Sequence, residues 1–303
     1  MPPSTTAPNR EATLGVAYGL TAYLLWGTFP LYFTLFDPFP AWEVLIHRVI
    51  WSCVFLAMVI SVLGRWQPVI AALKNPRSLG FVLACAILIA INWLVYIYSV
   101  GTRQVLQASL GYFLTPLVNV GLGMLILRER ITLWQGVAIA LAALAVLYQL
   151  VLLGIFPWIT LVLAFSFGTY GLMRKKVSLD GLSGLFVETL LLLPFGILAW
   201  AAVSALGLSS WHHNPLNMFL FISVGIATAL PLLAFAGGAR RLSLSTIGFL
   251  MYINPTIQFL IARFVFEEAL SSELLASFVV IWLALALYSG SAWFQRASLR
   301  STT

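Results

Sequence analysis

The amino-acid sequence predicts an all-α integral membrane protein whose ten transmembrane helices form two inverted five-helix repeats. Three observations predict this fold class: the composition, the spacing of the apolar runs, and one unusual segment that occurs twice. Hydrophobic residues make up 61% of the chain and charged residues 8%, whereas a soluble domain is typically about half apolar and about a quarter charged. The 303 residues provide about ten spans of roughly 20 residues each, which leaves no room for a sizeable soluble domain.

Ten apolar segments follow one another, separated by short links. We interpret each as a helix, because a helix satisfies its own backbone hydrogen bonds in lipid, and the alternation typical of barrel strands is absent. The predicted spans are 13–35, 41–63, 79–101, 105–127, 132–150, 155–173, 183–205, 217–239, 243–266 and 272–294. We expect a disordered cytoplasmic N-terminus at 1–12, a first repeat at 13–150, a second repeat at 155–294 and a cytoplasmic tail at 295–303.

Lysine and arginine are distributed unevenly between the two sides that these spans define. With the N-terminus in the cytoplasm, 13 of the 16 lysine and arginine residues fall on the cytoplasmic side, and only Arg103 falls in an outer loop. Cytoplasmic loops of membrane proteins carry an excess of these residues. The bias predicts that both termini are cytoplasmic, and it explains the net charge of +7 without a nucleic-acid partner.

The segment that occurs twice reads TPLVNVGLGMLILRE at Thr115–Glu129 and NPTIQFLIARFVFEE at Asn254–Glu268. A similar displacement along the chain aligns GTFPLYF at Gly27–Phe33 with GTYGLMR at Gly168–Arg174, and His47 with Glu188. These matches predict that the first five spans and the last five spans are repeats of each other. Because five is an odd number, the two repeats would enter the membrane from opposite sides. Chance similarity between apolar stretches is the alternative. An inverted repeat is typical of an alternating-access carrier, with its site between the halves near the midplane.

Two prolines lie within the repeated segments. Pro116 and Pro255 each remove a backbone hydrogen bond from a predicted helix, and Gly111 and Gly248 precede them by five and seven residues. We expect bent or broken helices at these four residues, with the freed carbonyls facing a cavity. A simple packing kink is the alternative.

Ionisable side chains within a span are costly and point to function. His47 and Arg48 lie in the second predicted span, and Glu188 lies in the seventh. Arg48 either neutralises a buried carboxylate or binds an anionic or carbonyl group of a solute. Glu188 is the candidate for proton coupling, since no cation accompanies it on its own helix. A fixed hydrogen bond is the alternative for Glu188. His47 is the side chain best suited to titrate near neutral pH, and a packing role is its alternative.

Other charged residues lie near the ends of the predicted spans. We expect Glu43 to be interfacial, and Glu129 and Glu268 to be interfacial anchors or gate residues. Arg263 lies four residues before Glu267, so snorkelling to the interface and a local ion pair explain it.

Polar and aromatic residues within the spans are the candidates for a binding cavity. Aromatic walls with a few polar groups suit a small amphipathic organic solute, although an aromatic side chain taken alone more often belongs to the interfacial belt. The candidates are Trp26, Tyr32, Asn92, Trp93, Tyr96, Tyr112, Asn119, Tyr252, Asn254 and Gln258.

Long polar-containing strings carry a resemblance to a known family. HRVIWS, NWLVYIYSV, QASLGYFLTPLVNVGLGMLILRER and LSTIGFLMYINPTIQFL resemble the RarD-type permeases of the EamA branch of the drug/metabolite transporter superfamily, and the resemblance covers roughly residues 13–295. It implies a bacterial inner-membrane permease of two inverted five-helix repeats. Permeases of this type are described in terms of chloramphenicol sensitivity or resistance, which does not establish a substrate.

Three rival classes fit the sequence less well than a secondary carrier. An intramembrane enzyme would need a nucleophile motif or a metal-binding motif, and the sequence contains neither. A pore needs no internal inverted repeat, and buried ionisable groups argue against a scaffold. We expect no cofactor, no bound metal and no nucleic-acid partner. The expected partners are a small organic solute, protons as the coupling ion and the lipid bilayer, and both a monomer and a homodimer are compatible with the sequence. A facilitative or exchange carrier for an amino acid or another metabolite is the alternative function.

Overall fold

The computed structural model describes residues 7–128, 132–153, 156–174, 176–212, 214–242 and 244–300. Every regular element among these residues is helical. Eight stretches among these residues are long and apolar enough to cross a bilayer, one of them being Thr246–Phe264, which contains a break, and Glu11–Gly27 with Phe29–Phe36 counts as a ninth, bent span. The helices are α1 (Ala7–Gly27), α2 (Phe29–Phe33), α3 (Ala41–Val62), α4 (Trp66–Leu73), α5 (Pro76–Gly101), α6 (Val105–Leu127), α7 (Leu133–Leu153), α8 (Trp158–Arg174), α9 (Gly181–Ala205), α10 (Pro215–Ala239), α11 (Leu244–Leu250), α12 (Ile253–Phe264) and α13 (Ser272–Arg300).

The ends of the chain differ from the sequence-based expectation. Residues 7–12 belong to helix α1, whereas we expected them to be disordered, and residues 1–6 lie outside the described residues. Helix α8 occupies the sixth predicted span with 17 residues, or about 26 Å at 1.5 Å per residue. It is shorter than the roughly 30 Å of the hydrocarbon core, so the count of ten full-length spans remains a prediction.

The first predicted span is bent. The axis changes direction by 42° between Glu11–Gly27 and Phe29–Phe36. Pro30 lies in the first turn of α2 and cannot donate a hydrogen bond to the preceding turn, so the helix is free to change direction at this point. The bend brings Phe29 and Phe33 into the protein core.

The two prolines of the repeated segments behave differently from each other. Pro116 lies inside α6, which is helical without interruption from Val105 to Leu127. The ninth predicted span is divided into α11 and α12, and α12 begins only two residues before Pro255. Pro255 is thus in a first turn, where a missing N–H has no cost. The expected break is present before Pro255, whereas the helix continues through Pro116.

A short helix occupies the link between the second and third predicted spans. Helix α4 buries Val69 and Ala72 and exposes Trp66, Ile70 and Leu73. The sequence-based interpretation assigned no helix to this link. An eight-residue helix with one apolar face outward is typical of a segment that lies in the membrane interface.

The helix contacts have an internal symmetry. Principal contacts join α3 with α9, α6 with α12, and α7 with α13, and each of these pairs joins equivalent spans of the two predicted repeats. Exchanging the repeats also maps α1·α10 onto α8·α5, α8·α6 onto α1·α12, and α3·α10 onto α9·α5, all of which are principal contacts. The principal helix contacts of the described residues therefore keep the same pattern when the two predicted repeats are exchanged.

Glycines allow the closest helix approaches. A Cβ at Gly111 on α6 would lie 2.8 Å from the Thr160 carbonyl oxygen on α8, so Gly111 is a close-packing residue, whereas we expected a hinge. A Cβ at Gly225 on α10 would meet the backbone of α3 at Trp51 and Ser52. At Gly121 of α6, by contrast, such a Cβ would have no atom within 4 Å.

Helix α9 begins with a side-chain cap. Asp180 Oδ1 accepts hydrogen bonds from the backbone nitrogens of Leu182 at 3.1 Å and Ser183 at 3.2 Å. The other carboxylate oxygen, Oδ2, accepts from Ser183 Oγ at 2.8 Å and from Arg65 Nη2 at 3.2 Å. Burial favours the neutral carboxyl, but these hydrogen bonds and the Arg65 guanidinium outweigh it and hold the pKa of Asp180 below its usual value.

We expect the Asp180→Ala variant to be less stable than the wild type by about 1 kcal/mol near neutral pH, the usual cost of losing such a cap. Because the folded-state pKa is lowered, the contribution is present above the unfolded-state pKa of about 4 and is lost as pH falls through the folded-state pKa. Thermal unfolding of purified protein between pH 3 and pH 8 measures this. The exposed Asp37 provides the control variant Asp37→Ala, and a gap between Asp180→Ala and wild type that did not narrow in acid would contradict the assignment.

Candidate functional site

A cavity of about 460 Å³ lies between the two halves of the chain. Its walls come from α1, α3, α5, α6 and α8 to α12, together with Phe29 of α2. Ten of its described lining residues are aromatic, and they are Tyr23, Trp26, Phe29, Trp93, Tyr96, Tyr112, Phe167, Tyr170, Phe235 and Tyr252. The size and the aromatic walls suit a small, flat organic molecule.

Arg48 is the charged side chain deepest in the wall, with 4% of its surface exposed. Its Nε donates to Thr228 Oγ1 at 3.1 Å, and its guanidinium carbon lies 4.1 Å from the ring centre of Trp93. The rings of Phe33 and Phe29 lie farther away, at 5.3 and 5.9 Å. Among the described residues, no carboxylate lies within 4.0 Å of Arg48. Of the two roles that the sequence offers for Arg48, neutralising a buried carboxylate therefore does not fit the described residues, and binding a group of a solute is the other.

Polar contacts hold the aromatic wall in place. Tyr112 donates its hydroxyl to Asn92 Oδ1 at 3.1 Å, and Asn92 Nδ2 donates to Ser166 Oγ at 3.0 Å. Across the cavity, Gln258 Nε2 donates to Asn254 Oδ1 at 2.7 Å. Asn92 and Gln258 are each 2% exposed. Both ends of the Asn92 amide have protein partners, whereas Gln258 Oε1 has none among the described residues.

Glu188 lies directly behind the cavity wall. Its side chain is fully buried, and its carboxylate accepts from the Tyr170 hydroxyl at 3.3 Å. Arg174 Nε lies 3.6 Å from the same carboxylate, and Arg174 Nη2 donates to the carbonyl oxygens of Leu179 and Asp180. Tyr170 and Arg174 both line the cavity. A cation does therefore accompany Glu188, but it comes from the neighbouring helix α8, whereas the sequence-based argument considered only the helix of Glu188 itself.

His47 does not line the cavity. Its ring is stacked 4.2 Å from Phe221 and 5.0 Å from Trp211, and neither ring nitrogen has a hydrogen-bond partner among the described residues. We call His47, Phe36, Phe39, Trp211 and Phe221 the aromatic cluster. These ring contacts are those of a packed side chain, and a coupling role for His47 stays a prediction.

Two acidic side chains join the halves of the chain near helix ends that the predicted topology places on one side of the membrane. Glu43 Oε1 accepts from the backbone nitrogen of Ser210 at 2.6 Å and from Ser209 Oγ at 3.2 Å. Glu268 accepts from the backbone nitrogens of Val105 at 2.7 Å and Leu106 at 2.8 Å, at the start of α6. We call these contacts the two latches and their side the latched side. Glu43 is 1% exposed and lies in the first turn of α3, so protein groups surround it, and its expected position at the membrane interface stays a prediction.

Two further expectations about charged residues have different outcomes. The ion pair expected between Arg263 and Glu267 is not among those that the described residues form, and both side chains are exposed. Glu129 lies outside the described residues.

Comparison with known proteins decides the family. A profile of the EamA-like transporter family matches residues 13–151. Protein RarD of Salmonella typhimurium is 42% identical over 280 residues, which cover 92% of this chain and 95% of the relative. An uncharacterized transporter of Vibrio cholerae is 43% identical over 289 residues, which cover 94% of each chain. The chain belongs to the RarD-type EamA permeases.

Further relatives agree with this family. The chloramphenicol-sensitive protein RarD of Pseudomonas aeruginosa is 33% identical over 297 residues, which cover 96% of this chain and 97% of the relative. A solved crystal structure superposes with a TM-score of 0.55 at 17% identity, covering 90% of this chain and 96% of its own, which supports the fold alone. This permease is a multi-pass inner-membrane protein of the drug/metabolite transporter superfamily, and its family indicates a transporter rather than an enzyme.

The predicted site residues of the permease divide into two groups. Those that line the cavity are Trp26, Arg48, Asn92, Trp93, Tyr96, Tyr112, Tyr252, Asn254 and Gln258, together with Pro255. The others do not line it: Glu188 and His47 are buried beside it, Asn119 is exposed and faces Gly168 of α8, and Tyr32 bonds Ser223. Gly111, Pro116 and Gly248 also lie outside the lining.

Sequence reasoning missed several lining residues of the permease. An aromatic residue and a basic residue, such as Tyr170 and Arg174, are common near the cytoplasmic end of a membrane helix. Their residue types alone therefore did not indicate a position in the cavity wall. Thr115 and Thr228 also line the cavity, and both back-bond to their own helix, at the carbonyls of Gly111 and Val224. The proximity of Tyr170 and Arg174 to Glu188, 14 to 18 residues later, was the signal that could have drawn attention to them.

Proposed function

We propose that this permease is a secondary carrier that moves a small organic solute across the inner membrane by alternating access, with protons as the coupling ion. The observation that carries the proposal is the aromatic cavity between the two halves, with the fully buried Glu188 behind its wall. The proposal includes ten spans in two inverted repeats and both termini in the cytoplasm.

The exchange symmetry of the helix contacts supports alternating access. In a carrier of inverted repeats, the two halves exchange conformations to open the site to opposite sides. Such an exchange needs each contact of one half to have a counterpart in the other, and the principal contacts meet this condition. The latched side is joined by Glu43 and Glu268, whereas the cavity extends toward Arg174 and Gly181 on the opposite side. We assign this arrangement to the state that faces the cytoplasm.

The surroundings of Glu188 support proton coupling. Its carboxylate has no exposed surface, and an ionisable group buried within a span is a default candidate for a proton relay. Tyr170 and Arg174 connect it to the cavity, so a solute that displaces either side chain changes the environment of Glu188. A proton on Glu188 and a solute in the cavity are therefore linked through two shared neighbours.

An exchange or facilitative carrier is the second candidate, and one contact favours it. Arg174 Nε lies 3.6 Å from Glu188, and a carboxylate paired with a guanidinium can stay charged throughout the transport cycle. In that case Glu188 and Arg174 form a structural pair, and transport proceeds without a proton.

Purified protein in liposomes that contain a pH-sensitive dye tests the proposal. Chloramphenicol, amino acids and small aromatic metabolites are added one at a time, and proton movement is recorded for each. Chloramphenicol belongs to the panel because one relative is named for sensitivity to it. We expect at least one compound to drive proton flux that saturates with its concentration, whereas empty liposomes show none.

Counterflow of labelled solute separates the two candidate functions. Solute exchange without proton movement would favour the exchange carrier, and flux that rises linearly without saturation would contradict a carrier of either kind. Cooperative thermal unfolding of the same preparation verifies that the protein is folded.

A further inference from the structure

Arg48 is a buried cation without a protein anion among the described residues. Its side chain is 4% exposed, and its ordinary contacts are one threonine hydroxyl and three aromatic rings. A buried charge is normally paired, and a threonine hydroxyl does not neutralise a guanidinium. Among the described residues that line the cavity, none is aspartate or glutamate.

Unused hydrogen-bonding groups face the same cavity. Arg48 Nη1 and the Tyr96 hydroxyl are both buried and have no hydrogen-bond partner in the part of the chain that the structure describes. Both side chains line the cavity, and Tyr96 is 3% exposed. Buried polar atoms without partners are rare in folded proteins and call for an explanation. Arg174 Nη1, a third unpartnered donor, and Gln258 Oε1, an unpartnered acceptor, also belong to the lining. Three of these four atoms are donors, which suits an oxyanion, since an oxyanion accepts but does not donate.

The net charge of the site also favours an anion. Two guanidinium groups, Arg48 and Arg174, line the cavity, and one carboxylate, Glu188, is paired with Arg174. With Glu188 ionised, the described residues of the site carry one uncompensated positive charge, and that charge belongs to Arg48. A bound monovalent anion would bring the net charge to zero.

We propose that the solute is a small organic anion whose oxyanion group binds Arg48 Nη1 and the Tyr96 hydroxyl while its flat apolar part lies against the aromatic wall. This inference rests on the proposed function, because it assigns the substrate class of that same cavity. Of the two solute groups considered for Arg48, an anionic group and a neutral carbonyl, it selects the anionic group. Trp93, stacked on Arg48 at 4.1 Å, holds the guanidinium plane in position.

A matched pair of probes tests the charge requirement. Naphthalene-2-sulfonate and naphthalene-2-sulfonamide have nearly the same shape, and at pH 7 the first is an anion and the second is neutral. The sulfonate stays ionised across the working pH range, so titration of Glu188 does not alter the probe. Binding to the purified full-length protein in detergent is measured by calorimetry, for the wild type and for Arg48→Gln, Arg48→Lys and Arg65→Gln.

We expect the wild type to bind the sulfonate about tenfold more tightly than the sulfonamide, since a hydrogen bond to a charged partner is worth more than a neutral one. Arg48→Gln should bring the two affinities to within about twofold to threefold. Arg48→Lys keeps the charge without the planar fork, so it should keep part of the preference. Arg65→Gln, whose side chain bonds Asp180 outside the cavity, should behave as the wild type.

Three outcomes would overturn the inference. The wild type could bind both probes equally, Arg48→Gln could keep the preference, or neither probe could bind to protein that unfolds cooperatively. If Arg48→Gln does not fold, the preference of the wild type and its decrease in Arg48→Lys decide the question. Failure of the proposed function is a separate result, because it is seen as absent flux in liposomes while the binding ratio in detergent stays intact.

Discussion

The Glu188→Gln variant should fold normally and lose the dependence of transport on pH. Glutamine has the shape of glutamate, and its carbonyl oxygen can still accept from Tyr170 and Arg174, so the packing around the side chain is retained. It cannot exchange a proton, and a carrier that depends on Glu188 for coupling would then show the same rate at every pH. Solute uptake into liposomes between pH 5.5 and pH 8 measures this, and we expect the proton flux per solute to fall at least tenfold.

A surface carboxylate provides the control for this variant. Glu11 pairs with Arg241 at 2.9 Å and is 63% exposed, and an exposed pair contributes about 0–1 kcal/mol to stability. Glu11→Gln removes one carboxylate from the chain without touching the cavity, so its pH profile should match the wild type. A Glu188→Gln profile that also matched the wild type would remove Glu188 from the coupling mechanism and favour the exchange carrier.

Substituting Gly225 should produce the largest loss of folded protein. The Cβ of an alanine there would meet the backbone of Trp51 and lie 2.9 Å from the Ser52 nitrogen. Backbone atoms in the middle of α3 cannot yield as a flexible side chain can, so α10 must move away. Overpacking costs about 1–3 kcal/mol and occasionally more, and we expect Gly225→Ala to reach or exceed the upper value. Separation of α10 from α3 would also break the contact between Arg48 and Thr228.

Gly121→Ala on α6 is the matched control, because its Cβ would have no atom within 4 Å. Alanine is favoured over glycine inside a helix by about 1 kcal/mol, so this variant should be as stable as the wild type or slightly more so. Thermal unfolding and the yield of monodisperse protein compare the two variants. Equal unfolding temperatures for Gly225→Ala and Gly121→Ala would contradict the close approach of α10 and α3.

Residues whose type is unusual in a membrane span could be predicted from the sequence. Asn92, Gln258 and Arg48 are polar in long apolar runs, and all three line the cavity. Polarity in lipid is costly, so a polar residue within an apolar run indicates a location in the protein interior. The same reasoning places Glu188 beside the cavity.

The apolar residues of the cavity wall could not be predicted from the sequence. Phe29, Ile89 and Leu185 line the cavity, but in helices that are apolar all round the sequence does not distinguish a wall facing a cavity from one facing lipid. The burial of Glu43 escaped prediction for another reason. Its partners, Ser209 and Ser210, lie more than 160 residues away, in a loop with no recognisable pattern.

The two latches have a consequence for the membrane as a barrier. Glu43 of the first half binds the backbone near Ser210 in the second half, and Glu268 of the second half binds the backbone at Val105 in the first. Neither contact includes a residue that lines the cavity, so a solute in the cavity does not touch the groups that form the latches. A ligand shifts such an equilibrium only through its different affinities for the two states. In the carrier proposed above, the latched side would stay closed until a solute shifts this equilibrium, so we expect liposomes that hold the protein to keep an imposed proton gradient until solute is added.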